Sequence, residues 1–154
     1  RSFYKFVQPI WAMSLRSKSN TSVIMLDIDH FKLLNDNYGH ALGDRVLMQL
    51  SETLQKEARS GDILARWGGE EFLVFLPETR LTDAVAIAER MRKKIATIQI
   101  ATDKEEKLSF TASLGIASTL DGNVSLDELI SQADQQLYRA KKQGRNCVCS
   151  ESSG

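Results

Sequence analysis

The chain predicts an α/β fold, a mixed central sheet flanked by helices, and three observations carry that reading. Apolar runs with strand character alternate with segments whose apolar residues recur every three or four positions. The pair Gly68-Gly69 separates two of those runs and marks an internal hairpin. The 154 residues are 42% hydrophobic and 26% charged, which suits one globular domain, residues 1–154, able to bury a real core.

In order along the chain, Phe3, Phe6, Val7, Ile10, Trp11 and Leu15 have roughly helical spacing, with no capping signal before them. Ser22 to Ile28 is an apolar run that suggests a strand buried on both faces, ending abruptly in charge. Phe31 to Gly43 mixes Asn35, Asp36, Asn37, Gly39 and Gly43 and reads as a loop or short helix. Val46, Leu47, Leu50 and Leu54 then mark a helix to about Ala58. Asp62–Trp67 and Phe72–Leu76 form the hairpin, with the glycine pair expected to supply positive φ. Thr82 is expected to cap a helix carrying Val85, Ala88, Met91 and Ile95. After the charged turn Asp103–Lys107, the residues Phe110, Ala112, Leu114 and Ile116 alternate as a strand. Ser125-Leu126-Asp127-Glu128 is a capping box for a helix through Tyr138; Gly144 ends it, and Asn146–Val148 starts a last strand.

Lysine and arginine balance aspartate and glutamate at 20 each, and the pI near 6.9 leaves no overall basic field for nucleic acid or an anionic membrane. No apolar stretch reaches transmembrane length and no signal-peptide pattern opens the chain, so the expected compartment is cytosolic. Cys147 and Cys149 suit neither a disulfide framework nor a tetrahedral zinc site and read as ordinary buried or half-buried thiols.

Chemistry concentrates in two acidic places. Arg66-Trp67-Gly68-Gly69-Glu70-Glu71-Phe72 sets two carboxylates beside a glycine pair whose bare backbone lets a ligand come close; alone, it could equally be a plain hairpin with solvated acids. Asp27 ends an interior strand, where open α/β sheets bind ligands and where Mg²⁺ favours one or two carboxylates plus phosphate oxygens. If that strand lies beside the hairpin, Asp27 and Glu70 converge. Asp29 shares the face of Asp27 or makes structural hydrogen bonds.

These residues, read together, resemble a known family. Asp27-Ile28-Asp29-His30-Phe31-Lys32 with Asn35-Asp36, Gly39-His40-Ala41-Leu42-Gly43-Asp44, the Arg66–Phe72 motif, Ala88-Glu89-Arg90, and Tyr138-Arg139-Ala140-Lys141 through Gly144-Arg145-Asn146 closely resemble a GGDEF domain, the catalytic domain of diguanylate cyclases. Trp67 stands where Tyr is more usual, and the family's Asp-x-Leu-Thr opening is absent. The resemblance implies a nucleotidyl-cyclase-like, palm-type sheet whose hairpin carries the GGEEF motif. It also implies the C-terminal part of a longer signalling protein, with any membrane attachment through an N-terminal region.

The implied reaction condenses two GTP into cyclic di-GMP with release of pyrophosphate, in a homodimer where each 3′-hydroxyl attacks the partner's α-phosphorus. Asp27, the Ile28 carbonyl and Glu70 would hold Mg²⁺, with Mn²⁺ as a substitute and two ions per GTP. Glu70, with Glu71, would assist deprotonation of the 3′-hydroxyl, although a cation alone eases that ionisation. Asn35 and Asp44 would read the guanine edge, since its N1-H and N2-H suit a carboxylate; Asp44 also reads as the N-cap of a helix beginning near Arg45. His40 and Gly69 would border the nucleotide. Lys32, Lys141 and Arg145, with backbone amides after Ile28, Phe31 among them, would grip the phosphates. Arg59-Ser60-Gly61-Asp62 matches the family's Arg-x-x-Asp inhibition site, so Arg59 and Asp62, aided by Arg90, would bind cyclic di-GMP as product and inhibitor. Two other readings remain at this point: a catalytically silent GTP or cyclic di-GMP sensor module, and a polymerase-like palm, against which the neutral charge weighs.

Overall fold

The structure is a computed structural model that describes residues 2–120 and 124–152. The elements run α1 (Ser2–Ser17), β1 (Asn20–Ile28), α2 (Phe31–Tyr38), α3 (His40–Glu57), β2 (Ile63–Arg66), β3 (Glu71–Pro77), α4 (Leu81–Ala96), β4 (Ile100–Ala101), β5 (Lys107–Leu108), β6 (Ala112–Leu120), α5 (Leu126–Lys142) and β7 (Val148–Ser152). The main sheet has five strands in the order β2-β3-β1-β6-β7; β4 and β5 form a separate ribbon. β1 runs antiparallel to both β3 and β6, whereas β6 and β7 are parallel, so the sheet is mixed as the sequence predicts.

Period-two alternation along β1 divides the core between the faces. Ile24, Leu26 and Ile28 pack with α2, α3 and α4, while Val23 and Met25 pack with Phe3, Val7 and Trp11 of α1 and Leu129, Ala133 and Leu137 of α5. Asp27 continues the second series and therefore meets the C-terminal end of α5, where Lys141 pairs with it. A Cβ at Gly115 would lie 2.0 Å from the Leu137 backbone nitrogen, so the missing side chain is what lets α5 lie this close to β6. The Ser125–Glu128 capping box is present in both directions. No helix among the described residues is long and apolar enough to cross a membrane.

Several local expectations are corrected. Residues 31–43, read as a loop or a short helix, are helical: α2 and α3 meet at Gly39, whose φ of 90° allows the sharp change of direction. Asp44 is consequently inside α3, a turn past its start, and is not an N-cap. Thr82 is not a cap either, because the chain turns helical at Leu81 and Arg80 holds the cap position without a side-chain bond. The positive φ expected of Gly68-Gly69 is absent, as among the described glycines only Gly39, Gly61 and Gly144 have it. The reversal is instead spread from Trp67 to Glu70, with the Trp67 and Gly68 amides both donating to the Glu71 carbonyl at 2.8 and 3.3 Å. The last strand starts at Val148, because Arg145 and Asn146 adopt left-handed backbone at φ 65° and 47°.

Candidate active site

The end of β1 and the hairpin tip lie together because of register. Asp27 pairs with Glu71 across β1 and β3, and the Ile28 amide donates to the Glu70 carbonyl at 3.4 Å. Asp27 and Glu71 therefore sit opposite each other where the sheet opens, and the Glu70 backbone reaches the end of β1. Burial raises the Asp27 carboxyl above its usual range, against the lowering effect of the Lys141 ammonium, and Asp29 raises it further. Glu71 is also raised, by burial first and then by the Asp27 charge.

Only one of the two Asp27 oxygens is used by Lys141; Oδ1 is buried and has no protein partner. A buried, unsatisfied carboxylate oxygen facing a carbonyl-bearing strand end fits a hard cation. Among the described residues no group of three or more His, Cys, Asp or Glu is placed to hold a metal ion by itself. Mg²⁺ takes only one or two carboxylates beside water and phosphate oxygens, so Asp27 with a neighbouring carbonyl would suit it. Asp29 takes the structural role: it accepts from Thr111 Oγ1 at 2.7 Å, Ser113 Oγ at 2.6 Å and the Asn146 amide at 3.0 Å. These bonds pin the Arg145–Asn146 turn to the end of β1, so Arg145 is carried to the same end of the sheet as Lys141.

α2 begins at His30, which is left-handed (φ 56°) and offers no side-chain cap, leaving the first amides of the helix to another acceptor. Phe31 is buried beneath them and Lys32 is exposed on the first turn. Asn35 projects toward α3, where Gly43 leaves it space: a Cβ there would lie 1.9 Å from Asn35 Oδ1. That oxygen is buried and has no partner. Asp44 is exposed one residue on and borders a cavity of about 420 Å³ between α3 and the hairpin, with Leu47, Leu64, Arg66 and Phe72 in its wall. His40 lies exposed in the first turn of α3, and Gly69 is exposed with open space where a Cβ would stand.

Two residues of the hairpin were quoted in its motif without a role. Arg66 donates through Nε to the Gly68 carbonyl at 3.3 Å and through Nη2 to the Gly69 carbonyl at 2.6 Å, tying down the turn that presents Glu70. Trp67 is held from the other side by α1, its ring 5.4 Å from Phe3 and 6.0 Å from Tyr4. Tyr4 is itself anchored by a 2.8 Å bond to Asp127. Adjacency to the glycine pair was the available signal for both.

The Arg59–Asp62 turn lies elsewhere, between α3 and β2. Arg59 and Asp62 form an ion pair, whereas Arg90 reaches back from α4 to Glu57.

The family profile described as "Diguanylate cyclase, GGDEF domain" matches residues 1–147, over both acidic clusters. The chain belongs to that family. Among relatives of this GGDEF domain, "Diguanylate cyclase DgcM" of Escherichia coli K12 is 43% identical over 148 residues, covering 96% of this chain and 35% of that protein. "Diguanylate cyclase VdcA" of Vibrio cholerae is 41% identical over 136 residues, 87% of this chain and 40% of that one. The GGDEF domain thus spans about two fifths or less of the curated relatives named here. The active GGEEF domain of a Vibrio cholerae diguanylate cyclase superposes with a TM-score of 0.83 at 33% identity, covering 92% of this chain and 89% of that chain. The GGDEF domain of DgcB from Caulobacter crescentus, solved in complex with c-di-GMP, superposes at 0.89 with 28% identity, covering 96% and 87%.

Proposed function

We propose that this domain is an active diguanylate cyclase that joins two GTP into cyclic di-GMP and releases pyrophosphate. The observation that carries the reading is the register of Asp27 against Glu71 with the Ile28 amide on the Glu70 carbonyl, which brings the hairpin backbone to the strand end where the Asp27 oxygen is unsatisfied. Asp27, Glu70 and the Ile28 carbonyl hold Mg²⁺ or Mn²⁺, two ions per GTP, which supply charge neutralisation at the reacting phosphate. Lys141, Arg145, Lys32 and the uncapped amides of α2 bind the triphosphate, with Phe31 packed beneath and Gly69 bordering it. Asn35 and Asp44 hold the guanine edge beside His40, selecting GTP over ATP. Glu70 and Glu71 accept the proton of the 3′-hydroxyl, and burial raises the Glu71 carboxyl.

Each domain presents one GTP, so turnover takes a homodimer whose partner brings the second. Arg59 and Asp62, with Arg90, bind the product and inhibit. We place the domain in the cytosol, where GTP is available. The test is chromatography of products after incubating concentrated protein with GTP and Mg²⁺, beside Glu70→Gln and ATP controls. Cyclic di-GMP from GTP alone, lost in the variant, is the expected result. Silence even with a fused dimerising helix, despite measured GTP binding, would replace this reading with the sensor module.

A further inference from the structure

The Arg59–Asp62 turn, resting here on the product-binding role proposed above, is closed on itself. Asp62, whose side chain is only 2% exposed, takes the Arg59 amide at 2.8 Å and Nε at 3.3 Å on one oxygen and Nη2 at 3.3 Å on the other. Arg59 Nη2 also donates to Thr79 Oγ1. Arg90 is closed as well: its Nε donates to Glu57 Oε1 at 2.6 Å and its Nη2 to the Glu57 carbonyl at 3.1 Å. One whole edge of that guanidinium is thereby used, and a paired edge is what an arginine offers to guanine O6 and N7 or to a phosphate.

Helix stability does not account for Glu57. It is the last residue of α3, where a carboxylate opposes the negative end of the helix dipole. Its side chain is 16% exposed, so its charge is only partly screened, and the arginine it holds is 48% exposed.

We infer that Glu57 sets the affinity of the product site, competing as an internal anion for the Arg90 edge that cyclic di-GMP must occupy. The product carries two negative phosphodiesters, so Glu57 both blocks the donors and repels the ligand. Removing the carboxylate opens the site without touching the GTP pocket.

Calorimetry of the intact domain with cyclic di-GMP at low salt tests this in wild type, Glu57→Gln, Glu57→Ala, Arg59→Ala, Arg90→Ala and Glu57→Ala combined with Arg90→Ala. The two Glu57 variants should bind product about three- to tenfold tighter. Product inhibition should strengthen in parallel, turnover at negligible product should stay at the wild-type rate, and the gain should shrink at high salt. In the Arg90→Ala background the gain should vanish. Equal or weaker product binding in both Glu57 variants overturns the inference while the product site stands. Wild-type binding by Arg59→Ala overturns the site, and the role of Glu57 with it.

Discussion

At Asp27, burial disfavours the charged carboxylate more strongly than Lys141 favours it. The folded protein therefore holds the Asp27 proton more tightly than the unfolded chain does. The stability from that proton is complete below the unfolded carboxylate pKa and is lost as pH rises through the raised folded value. In EDTA at neutral pH, Asp27→Asn should melt no lower than wild type, with any advantage disappearing on acidification below the ordinary carboxylate range. A lower melting temperature at neutral pH would refute this. Gly43 poses the complementary case of space. Alanine favours a helix over glycine by about 1 kcal/mol, yet a Cβ there collides with the Asn35 amide at 1.9 Å. Gly43→Ala should weaken GTP binding about tenfold, the loss of one good hydrogen bond, with little change in denaturant midpoint. Unchanged GTP affinity would show that Asn35 does not read the base.

Among the elements, the hairpin is the one whose position matters most, and it is gripped on two sides. Arg66 ties the Gly68 and Gly69 carbonyls, and α1 holds Trp67 against Phe3 and Tyr4. Because the Trp67 amide bonds the Glu71 carbonyl, a loosened ring loosens the backbone that sets both glutamates. Each aromatic pair contributes about 0.5–1.5 kcal/mol. Trp67→Ala should therefore lower kcat about tenfold with a smaller change in KM, and Trp67→Tyr should restore most of it. A wild-type kcat in Trp67→Ala would show that the ring only fills space. α2 and α3 illustrate a different point: polar, glycine-bearing residues that read equally as a loop or a short helix are helical, since packing of Phe31, Leu34, Leu42 and Val46 outweighs weak local propensity.

Across the whole molecule, zero net charge coexists with cations gathered near the last turn of α5, at Arg139, Lys141, Lys142 and Arg145, which gives an anion site without a general basic field. The proposed nucleotide contacts make up a single set, so the proposed reaction would use a second copy. Specific activity should climb with protein concentration across a dilution series and level off once the domain is dimeric. A flat specific activity would show that one protomer suffices.

Much of this was legible before any fold was known. The buried run ending at Asp27, the glycine-paired hairpin and the capping box at Ser125 are local signals, written in period, turn chemistry and spacing, and each appears where it was expected. The motif residues were equally local, because their identities are set by the chemistry of cations, phosphates and guanine. What remained hidden depends on partners distant in sequence. The placement of Asp29 among Thr111, Ser113 and Asn146, the aromatic grip of α1 on Trp67, and the closure of Arg90 on Glu57 join residues far apart in the chain. Sequence alone determined which groups the site contains, since composition and local pattern suffice for that. Only the tertiary structure decided which are satisfied, strained or held in reserve, because burial and hydrogen bonding are properties of the packed sheet and its helices.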